Sequence, residues 1–232
     1  MPRNARIAPG GYVYHALNRG VARLALFEND GDFEAFERVL ALAVERVPLR
    51  ILGYCLMPNH WHFVLWPRRD GELTAFLRWL THTHTQRWHA HHRTAGSGHL
   101  YQGRFKAFPV EDDAHYLTVL RYVERNALRA GLCARAEQWR WSSLAHRLAP
   151  LLPGRKELLA EGPLPLPRGW VARVNRPQSA KELEALRQSV NRGQPFGSPA
   201  WREKTSTRLG LQSTFRHRGR PKKEPVADET KL

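Results

Sequence analysis

The segment His60-Trp61-His62 carries two imidazoles at a spacing that can place both on one metal ion. Its neighbours are β-forming residues, which predicts a strand, and residues i and i+2 of a strand point to the same face. Both imidazoles would then project together, while Trp61 points the opposite way into the core. Imidazole nitrogens are common ligands of divalent metals, so the pair can form half of a metal site.

The spacing alone does not identify such a site, because His82-Thr83-His84 repeats it elsewhere in the chain. That second pair falls on a predicted helix, where residues i and i+2 diverge by about 200°. We therefore interpret His82 and His84 as surface or phosphate-contacting residues.

Tyr122 and Asn126 form the second group of residues that could do chemistry. They lie four residues apart on a predicted helix and therefore share one face. Tyrosine can act as a covalent nucleophile, and the asparagine carbonyl oxygen is a ligand for hard divalent cations. A half-buried tyrosine on an amphipathic helix is the structural alternative. If the helix packs across the sheet, Asn126 becomes a third ligand beside His60 and His62, and Tyr122 faces a phosphate polarised by the metal.

Hydrophobic periodicity and turn residues predict the elements that must position these side chains. The predicted strands are 12–17, 50–57, 60–66 and 101–110, and the predicted helices are 30–47, 73–88 and a helix through Ala130 with Asp112 or Asp113 as its N-cap. The order β-α-β-β-α-β plus one helix is the ferredoxin-like, RRM-like α+β arrangement with an antiparallel sheet. Such a sheet would carry helices on one face and leave the other open to a ligand.

The chain of 232 residues divides by composition near residue 150. We predict a catalytic domain over 1–150, a Pro-rich linker over 151–178, and a short helix with a basic DNA-binding tail over 179–232. Ser179 and Glu182 form a capping-box pattern at the start of that helix. The rest of this basic C-terminal extension is predicted to be mostly irregular.

The charge balance indicates a polyanionic partner. Lysine and arginine number 37 against 21 acidic residues, a formal net charge of +16, and neutralised phosphates release counterions. No apolar run approaches the roughly 18 residues of a membrane-spanning helix, and the N-terminus contains no signal-peptide core. The two cysteines have no paired spacing, which fits a cytoplasmic protein without a disulfide framework. We expect no membrane partner.

Several motifs, taken in order along the chain, resemble those of the single-tyrosine, His-hydrophobic-His (insertion-sequence-200-like) transposases. They are Asn18-Arg19-Gly20, 56–63 around His60 and His62, 98–106 (GHLYQGRFK), 121–132 (RYVERNALRAGL), and Trp139 with Trp141-Ser142-Ser143. Within that group the chain is most similar to the tyrosine transposases associated with repetitive extragenic palindromes (REP elements). The chain departs from the pattern at Ala127, where proline is expected after the asparagine; this position touches no catalytic group.

The resemblance implies a mechanism. Mg²⁺ or Mn²⁺ would be held by His60, His62 and Asn126, and Tyr122 would attack the scissile phosphate, leaving a 5′-phosphotyrosine and a free 3′-hydroxyl. Metal proximity or a general base would activate the tyrosine, and both alternatives stay open. The implied substrates are single-stranded DNA, as hairpins of repetitive extragenic palindromes. Relatives include monomers and domain-sharing dimers, and both a monomer and a homodimer stay open for this chain.

Basic residues mixed with aromatic ones suit phosphate contacts and base stacking. We assign Trp61 and Trp79 to the core, and regard Trp88 and Tyr101 as part of the stacking mixture. The predicted DNA contacts are Arg19, Arg87, Arg93, Arg104, Lys106, Arg121, Arg218, Arg220, Lys222 and Lys223. The segment Arg218-Gly219-Arg220-Pro221 also resembles the core of the AT-hook, which lies in the narrow minor groove.

Two other functions compete with strand cleavage. A non-catalytic DNA-binding protein could keep the fold, but it would have no need to retain His60, His62, Tyr122 and Asn126 together. A zinc hydrolase built on the two histidines lacks an acidic or histidine third ligand at a recognised spacing and leaves the net charge unexplained.

Overall fold

The computed structural model describes residues 8–149 and 158–216. Its centre is a four-stranded sheet of order β2-β3-β1-β4, in which all neighbouring strands are antiparallel. The strands are β1 (Val13–Arg19), β2 (Arg50–Met57), β3 (His60–Trp66) and β4 (Lys106–Val110). This topology confirms the predicted ferredoxin-like α+β fold.

The helices of the described chain follow the predicted order, with more of them after residue 126 than the sequence indicated. They are α1 (Asp30–Arg46), α2 (Glu72–His91), α3 (Ala114–Glu124), α4 (Asn126–Arg129), α5 (Ser143–Leu148), α6 (Trp170–Asn175), α7 (Ala180–Arg192) and α8 (Pro199–Arg208). Asp113 caps α3 by accepting a hydrogen bond from the His115 amide at 2.8 Å. Ser179 and Glu182 form the predicted capping box of α7.

The segment before β4 differs from its prediction as part of a strand. Residues 101–105 are not paired along their length; Tyr101 forms only an isolated bridge with Gly20. The Gln102 amide donates to the Arg19 carbonyl oxygen at 2.9 Å, and the Val21 amide donates to the Leu100 carbonyl oxygen at 2.9 Å. These bonds fasten the segment to the end of β1 in place of a regular ladder.

The two faces of the sheet are covered by different helices. The α1 and α2 helices pack on one face, where Trp61 is fully buried as predicted. The other face is covered by α3, so the expectation of an open face is wrong. Leu120 and Val123 of α3 join a second core cluster with Leu52 of β2, and an apolar sheet face must be buried in this way. Gly53 permits the close approach, because a Cβ atom there would overlap the Leu120 side chain.

The C-terminal extension packs on this second layer. Trp170 of α6 lies within the predicted linker, yet its Nε1 donates to the Glu124 carboxylate at 2.7 Å. Glu124 is fully buried and also accepts from the Ser143 hydroxyl at 2.6 Å. The proposed domain boundaries at residues 150 and 178 stay predictions. Within the described residues, no helix combines the length and apolar character that crossing a bilayer requires.

Candidate active site

The alternation of β3 places His60 and His62 on the face that α3 covers. Trp61 between them belongs to the opposite core cluster. The two imidazole ring centroids lie 5.1 Å apart. The Tyr122 ring of α3 stands 6.0 Å from the His62 ring and nearly perpendicular to it. The structure therefore brings together the two histidines and the tyrosine that the sequence singled out.

Asn126 lies one turn beyond Tyr122 and is buried. Its side-chain oxygen accepts a hydrogen bond from Nη2 of Arg129, and its Nδ2 is buried with no partner among the described residues. The Arg129 guanidinium carbon lies 4.1 Å from the centroid of the Tyr122 ring. Nη1 of Arg129 is also buried and unpartnered in the described chain. The site therefore contains a cation stacked on the tyrosine ring. It also contains two buried polar atoms, Asn126 Nδ2 and Arg129 Nη1, that lack a hydrogen-bond partner in the described chain.

The Nδ1 atoms of both histidines are engaged. His60 Nδ1 lies 2.6 Å from Asn59 Oδ1, and His62 Nδ1 lies 2.9 Å from Nε2 of His15. An amide oxygen only accepts, so His60 Nδ1 carries a proton and its Nε2 has a free lone pair. Neither Nε2 atom of His60 or His62 has a hydrogen-bond partner in the part of the chain that the structure describes. Metal-binding histidines are commonly fixed in this way through the second ring nitrogen.

His15 is a member of the site that sequence reasoning missed. Its ring is fully buried and stacks on that of His62, with centroids 5.0 Å apart and planes 11° apart. It also lies 6.0 Å from the Tyr122 ring. Strand alternation puts His15 on the same face as Leu17, which is the residue paired with His62. The available signal was a histidine inside a predicted strand, but only the register of β1 on β3 brings it to His62.

Burial keeps these imidazoles neutral. Desolvation, together with the nearby positive charges of Arg19 and Arg129, lowers the pKa of His60 from 6.5 to about 4. Desolvation also lowers the pKa of His15 to about 3 and that of His62 well below 6.5. Neutral imidazole is the form that binds a metal ion, so His60 and His62 can ligate a divalent metal at neutral pH.

Most of the predicted DNA contacts within the described residues lie on the surface. Arg19 is exposed at the end of β1, directly opposite His60 in the strand register. Arg104 and Lys106 line the same cavity as Arg19. Arg87 and Arg93 are exposed on α2 and just beyond it. Arg218, Arg220, Lys222 and Lys223, with the predicted AT-hook, lie outside the described residues.

Arg121 has a different environment from these surface cations. Its Nη2 donates to the carbonyl oxygens of Arg176 at 2.7 Å and Pro177 at 3.0 Å, just after α6. The guanidinium therefore fastens the C-terminal extension to α3. These two bonds engage Nη2 alone, and the DNA contact predicted for Arg121 stays a prediction.

The aromatic residues predicted to stack on bases are mostly in the core. Tyr101 is buried, and its hydroxyl accepts from Trp61 Nε1 at 3.1 Å and hydrogen-bonds His84 Nδ1 at 2.8 Å. The interpretation of His84 as a surface residue is therefore wrong, whereas His82 is exposed. Trp88 is 9% exposed and stacks on the His92 ring at 3.9 Å. Trp79 is partly buried against the core, as predicted.

A separate cluster of metal-ligand types lies at the start of α3. Ligand atoms of Glu111, Asp113 and His115 all lie within 4.8 Å of one another. Glu111 accepts from the Ser198 amide at 2.6 Å, and Asp113 caps α3. Asp113 also precedes Tyr122 by nine residues, about 13 Å along a helix. This cluster has local structural roles and stands apart from the His60, His62 and Tyr122 centre.

Comparison with known proteins identifies the family. The sequence model described as "Transposase IS200 like" matches residues 10–126, just over half of the chain. A solved structure of a REP-associated tyrosine transposase bound to a REP hairpin is 16% identical, covers 70% of this chain and 92% of its own, and has a TM-score of 0.48. A candidate transposase from Deinococcus radiodurans R1 is 14% identical, covers 53% of this chain and 96% of its own, and has a TM-score of 0.38. No curated protein gave a significant match. On the strength of the sequence match, the chain belongs to the IS200-like transposase family.

Proposed function

We propose that this transposase cleaves and rejoins single-stranded DNA with a divalent metal ion and a covalent bond to Tyr122. The observation that carries the proposal is the position of the Tyr122 ring, 6.0 Å from His62. A nucleophile beside two neutral imidazoles with free Nε2 atoms is suited to attack on a metal-bound phosphate. A tyrosine that is buried only for packing would not need to lie beside these two imidazoles.

The metal would be held by Nε2 of His60, Nε2 of His62 and Oδ1 of Asn126. When bound, Mg²⁺ or Mn²⁺ would draw charge from the scissile phosphate. Asn126 Oδ1 now accepts from Arg129, so this oxygen would have to be released or shared for ligation. A carbonyl oxygen has two lone pairs, which makes sharing feasible.

Tyr122 supplies the covalent step. Its Oη attacks the phosphorus, the Tyr122 Oη–P bond forms, and the bond from phosphorus to the 3′ oxygen of the preceding nucleotide breaks. The phenolic proton is given up and the leaving oxygen gains one, so a 5′-phosphotyrosine and a free 3′-hydroxyl result. Rejoining reverses these steps with another 3′-hydroxyl and needs no ATP. Arg129, stacked on the phenol ring, places positive charge beside the phenolate that forms.

His15 has a positioning role in this scheme. With a proton on His62 Nδ1, the 2.9 Å contact is a donation to His15 Nε2, and His62 Nε2 keeps its lone pair for the metal. The proton of His15 is then on Nδ1, the atom that is buried without a partner in the described chain. The fully buried stack also fixes the plane of the His62 ring.

We further propose that the substrates are hairpins of repetitive extragenic palindromes. The motifs of this chain that resemble the REP-associated branch support this choice. Exposed cations at Arg19, Arg104 and Lys106 surround the approach to His60 and would contact the phosphates of the strand.

Formation of a covalent adduct tests the proposal. Single-stranded palindromic DNA labelled on the 3′ side of the cleavage site would be incubated with Mn²⁺ and run on a denaturing gel. The wild-type protein should give a shifted protein–DNA band, and chelator should remove it. Tyr122→Phe should give no band while binding the DNA nearly as well, because only the phenolic oxygen is lost.

Tyr116→Phe is the matched control, since Tyr116 is a buried tyrosine on the same helix. This control should form the adduct. An adduct that persists in Tyr122→Phe and disappears in Tyr116→Phe would reassign the nucleophile. Tight DNA binding by the wild-type protein with no adduct under any metal would instead favour a non-catalytic DNA-binding protein.

A further inference from the structure

A groove of about 810 Å³ lies on the side of the sheet away from Tyr122, between α2 and the segment 99–105. The wall on α2 is one face of the helix, because its residues occupy positions i, i+4, i+7, i+8 and i+11. These residues are Thr74, Arg78, Thr81, His82 and Thr85. We call this feature the α2 groove.

The opposite wall of the α2 groove is held in place by β1. Asn18 Nδ2 donates to the Gly103 carbonyl oxygen at 3.2 Å, and the Gln102 amide donates to the Arg19 carbonyl oxygen at 2.9 Å. Tyr101 adds the bridge with Gly20. A groove whose two walls are a helix and a fastened segment is formed before any ligand binds, which lowers the entropic cost of binding.

The chemistry of the α2 groove combines cations with an apolar floor. Arg78 and Arg104 line it, and neither has a salt bridge within the described residues. No carboxylate is among its lining residues, whereas the exposed imidazoles of His82 and His99 are. Its floor includes Leu100, Tyr101 and Phe105, all buried apolar side chains.

This combination favours an unpaired DNA strand over a duplex. A duplex presents its phosphates outward and keeps its base faces stacked inside, so it would leave an apolar floor unused. An unpaired strand can place its phosphates on the arginines and its bases against the exposed imidazoles, above the apolar floor.

The α2 groove continues into a second cavity, of about 240 Å³, on the other side of the sheet edge. The two cavities share Asn18, Gln102, Gly103 and Arg104. The second cavity is also lined by Leu17 and Arg19, whose side chains alternate with that of Asn18 along β1. Arg19 lies opposite His60 in the strand register, so the second cavity lies at the end of β1 that is next to this proposed metal ligand.

We propose that the α2 groove and the second cavity form one track that guides an unpaired DNA strand around the sheet edge to Tyr122. The inference rests on the proposed function, because it assigns the route of that substrate. The track extends the strand contacts beyond the predicted Arg19, Arg104 and Lys106 to Arg78, His82 and His99.

Binding measured without cleavage tests the track. Anisotropy of a labelled, unstructured oligothymidylate would be recorded against salt with the Tyr122→Phe protein in chelator. Adding Arg78→Gln and His82→Ala should weaken binding roughly tenfold and lower the slope of log affinity against log salt by about 0.7. The affinity for a blunt duplex should change less than twofold.

Arg46→Gln with His91→Ala is the matched control, because both residues are exposed and lie outside the two cavities. It should leave both affinities unchanged. Unchanged oligothymidylate binding in the groove variant would overturn the proposal, and so would an equal loss for duplex.

Crosslinking of a 4-thiothymidine oligonucleotide to the unmutated groove gives a second test that no folding defect can affect. Peptides containing residues 78–85 or 99–105 should carry the crosslink, and crosslinks confined to other segments would contradict the track. Because neither experiment depends on adduct formation, failure of the Tyr122 chemistry and failure of the track are distinguishable.

Discussion

The two His-x-His pairs of this transposase have the same spacing but differ in burial and in the direction of their side chains. On α2, His82 is exposed and His84 is buried, where it hydrogen-bonds the Tyr101 hydroxyl. On β3, His60 and His62 share a face and present Nε2 atoms with no partner in the described chain. The difference arises from the period of the element, 3.6 residues in a helix and two in a strand. A pair of histidines becomes a ligand pair only where the backbone directs both to one place.

The largest expected effect separates these pairs by function. His62→Ala should abolish metal-dependent cleavage, because one imidazole and Asn126 are too few to hold Mg²⁺ or Mn²⁺ beneath the phosphate. His84→Ala should keep metal-dependent cleavage but lower the denaturation midpoint, since it leaves the Tyr101 hydroxyl with one partner fewer. Adduct yield and urea denaturation, measured on both variants, would check this. Full cleavage by His62→Ala in chelator would contradict the metal assignment.

Much of the fold was predictable because its signals are local. Runs of β-formers ended by Pro58-Asn59 and Pro67 give the bounds of β2 and β3 as the structure has them. Asp113 and Ser179 could be recognised as helix caps because capping depends on residues within one turn. The side-chain period of a strand likewise put His60 and His62 on one face.

What the sequence did not reveal depends on long-range contacts. His15 joins the site only through the register of β1 on β3, which no local pattern specifies. The hydrogen bonds of Arg121 to the carbonyl groups of Arg176 and Pro177, just after α6, also join residues that are far apart in the chain. Tyr101 reads as part of a strand, but its segment is fastened to the end of β1 instead.

Arg129 and Arg121 extend the comparison to two arginines on the consecutive helices α4 and α3. Arg129 lies over Tyr122 and bonds Asn126, whereas Arg121 bonds backbone carbonyls beyond α6. Arg129→Gln should reduce the rate of adduct formation roughly 10- to 100-fold, with DNA affinity nearly unchanged, because charge stabilisation at the phenolate is lost. Arg121→Gln should leave that rate unchanged and cost about 1 to 3 kcal/mol of unfolding free energy. Single-turnover kinetics and denaturant titration would distinguish them, and the reverse pattern would contradict both assignments.

His15 tests whether a residue without substrate contact tunes the metal. His15→Ala should weaken Mn²⁺ binding to the DNA-free protein about 10- to 100-fold, because His62 loses the acceptor that fixes its tautomer. His15→Gln offers a carbonyl oxygen to the same proton and should recover part of that affinity. Electron paramagnetic resonance titration of free Mn²⁺ measures both. Equal loss in the two variants would indicate that His15 acts only through packing.

The smallest effect concerns pH and returns to the pair on α2. Desolvation lowers the pKa of His84 from 6.5 to about 3, so the unfolded chain binds a proton between these values that the folded protein does not. The stabilisation is fully present above pH 6.5 and is lost as the pH falls from there toward about 3. Near pH 5, this difference in proton binding contributes about 1.4 kcal/mol per pH unit to the slope of the unfolding free energy against pH. His84→Gln removes this difference in proton binding and should lower the slope by about 1.4 kcal/mol per pH unit. Urea titrations of the metal-free protein at several pH values from 4.5 to 7 measure the slope. An unchanged slope in His84→Gln would mean that His84 titrates alike in the folded and unfolded chains. The two His-x-His pairs would then differ only in the direction of their side chains.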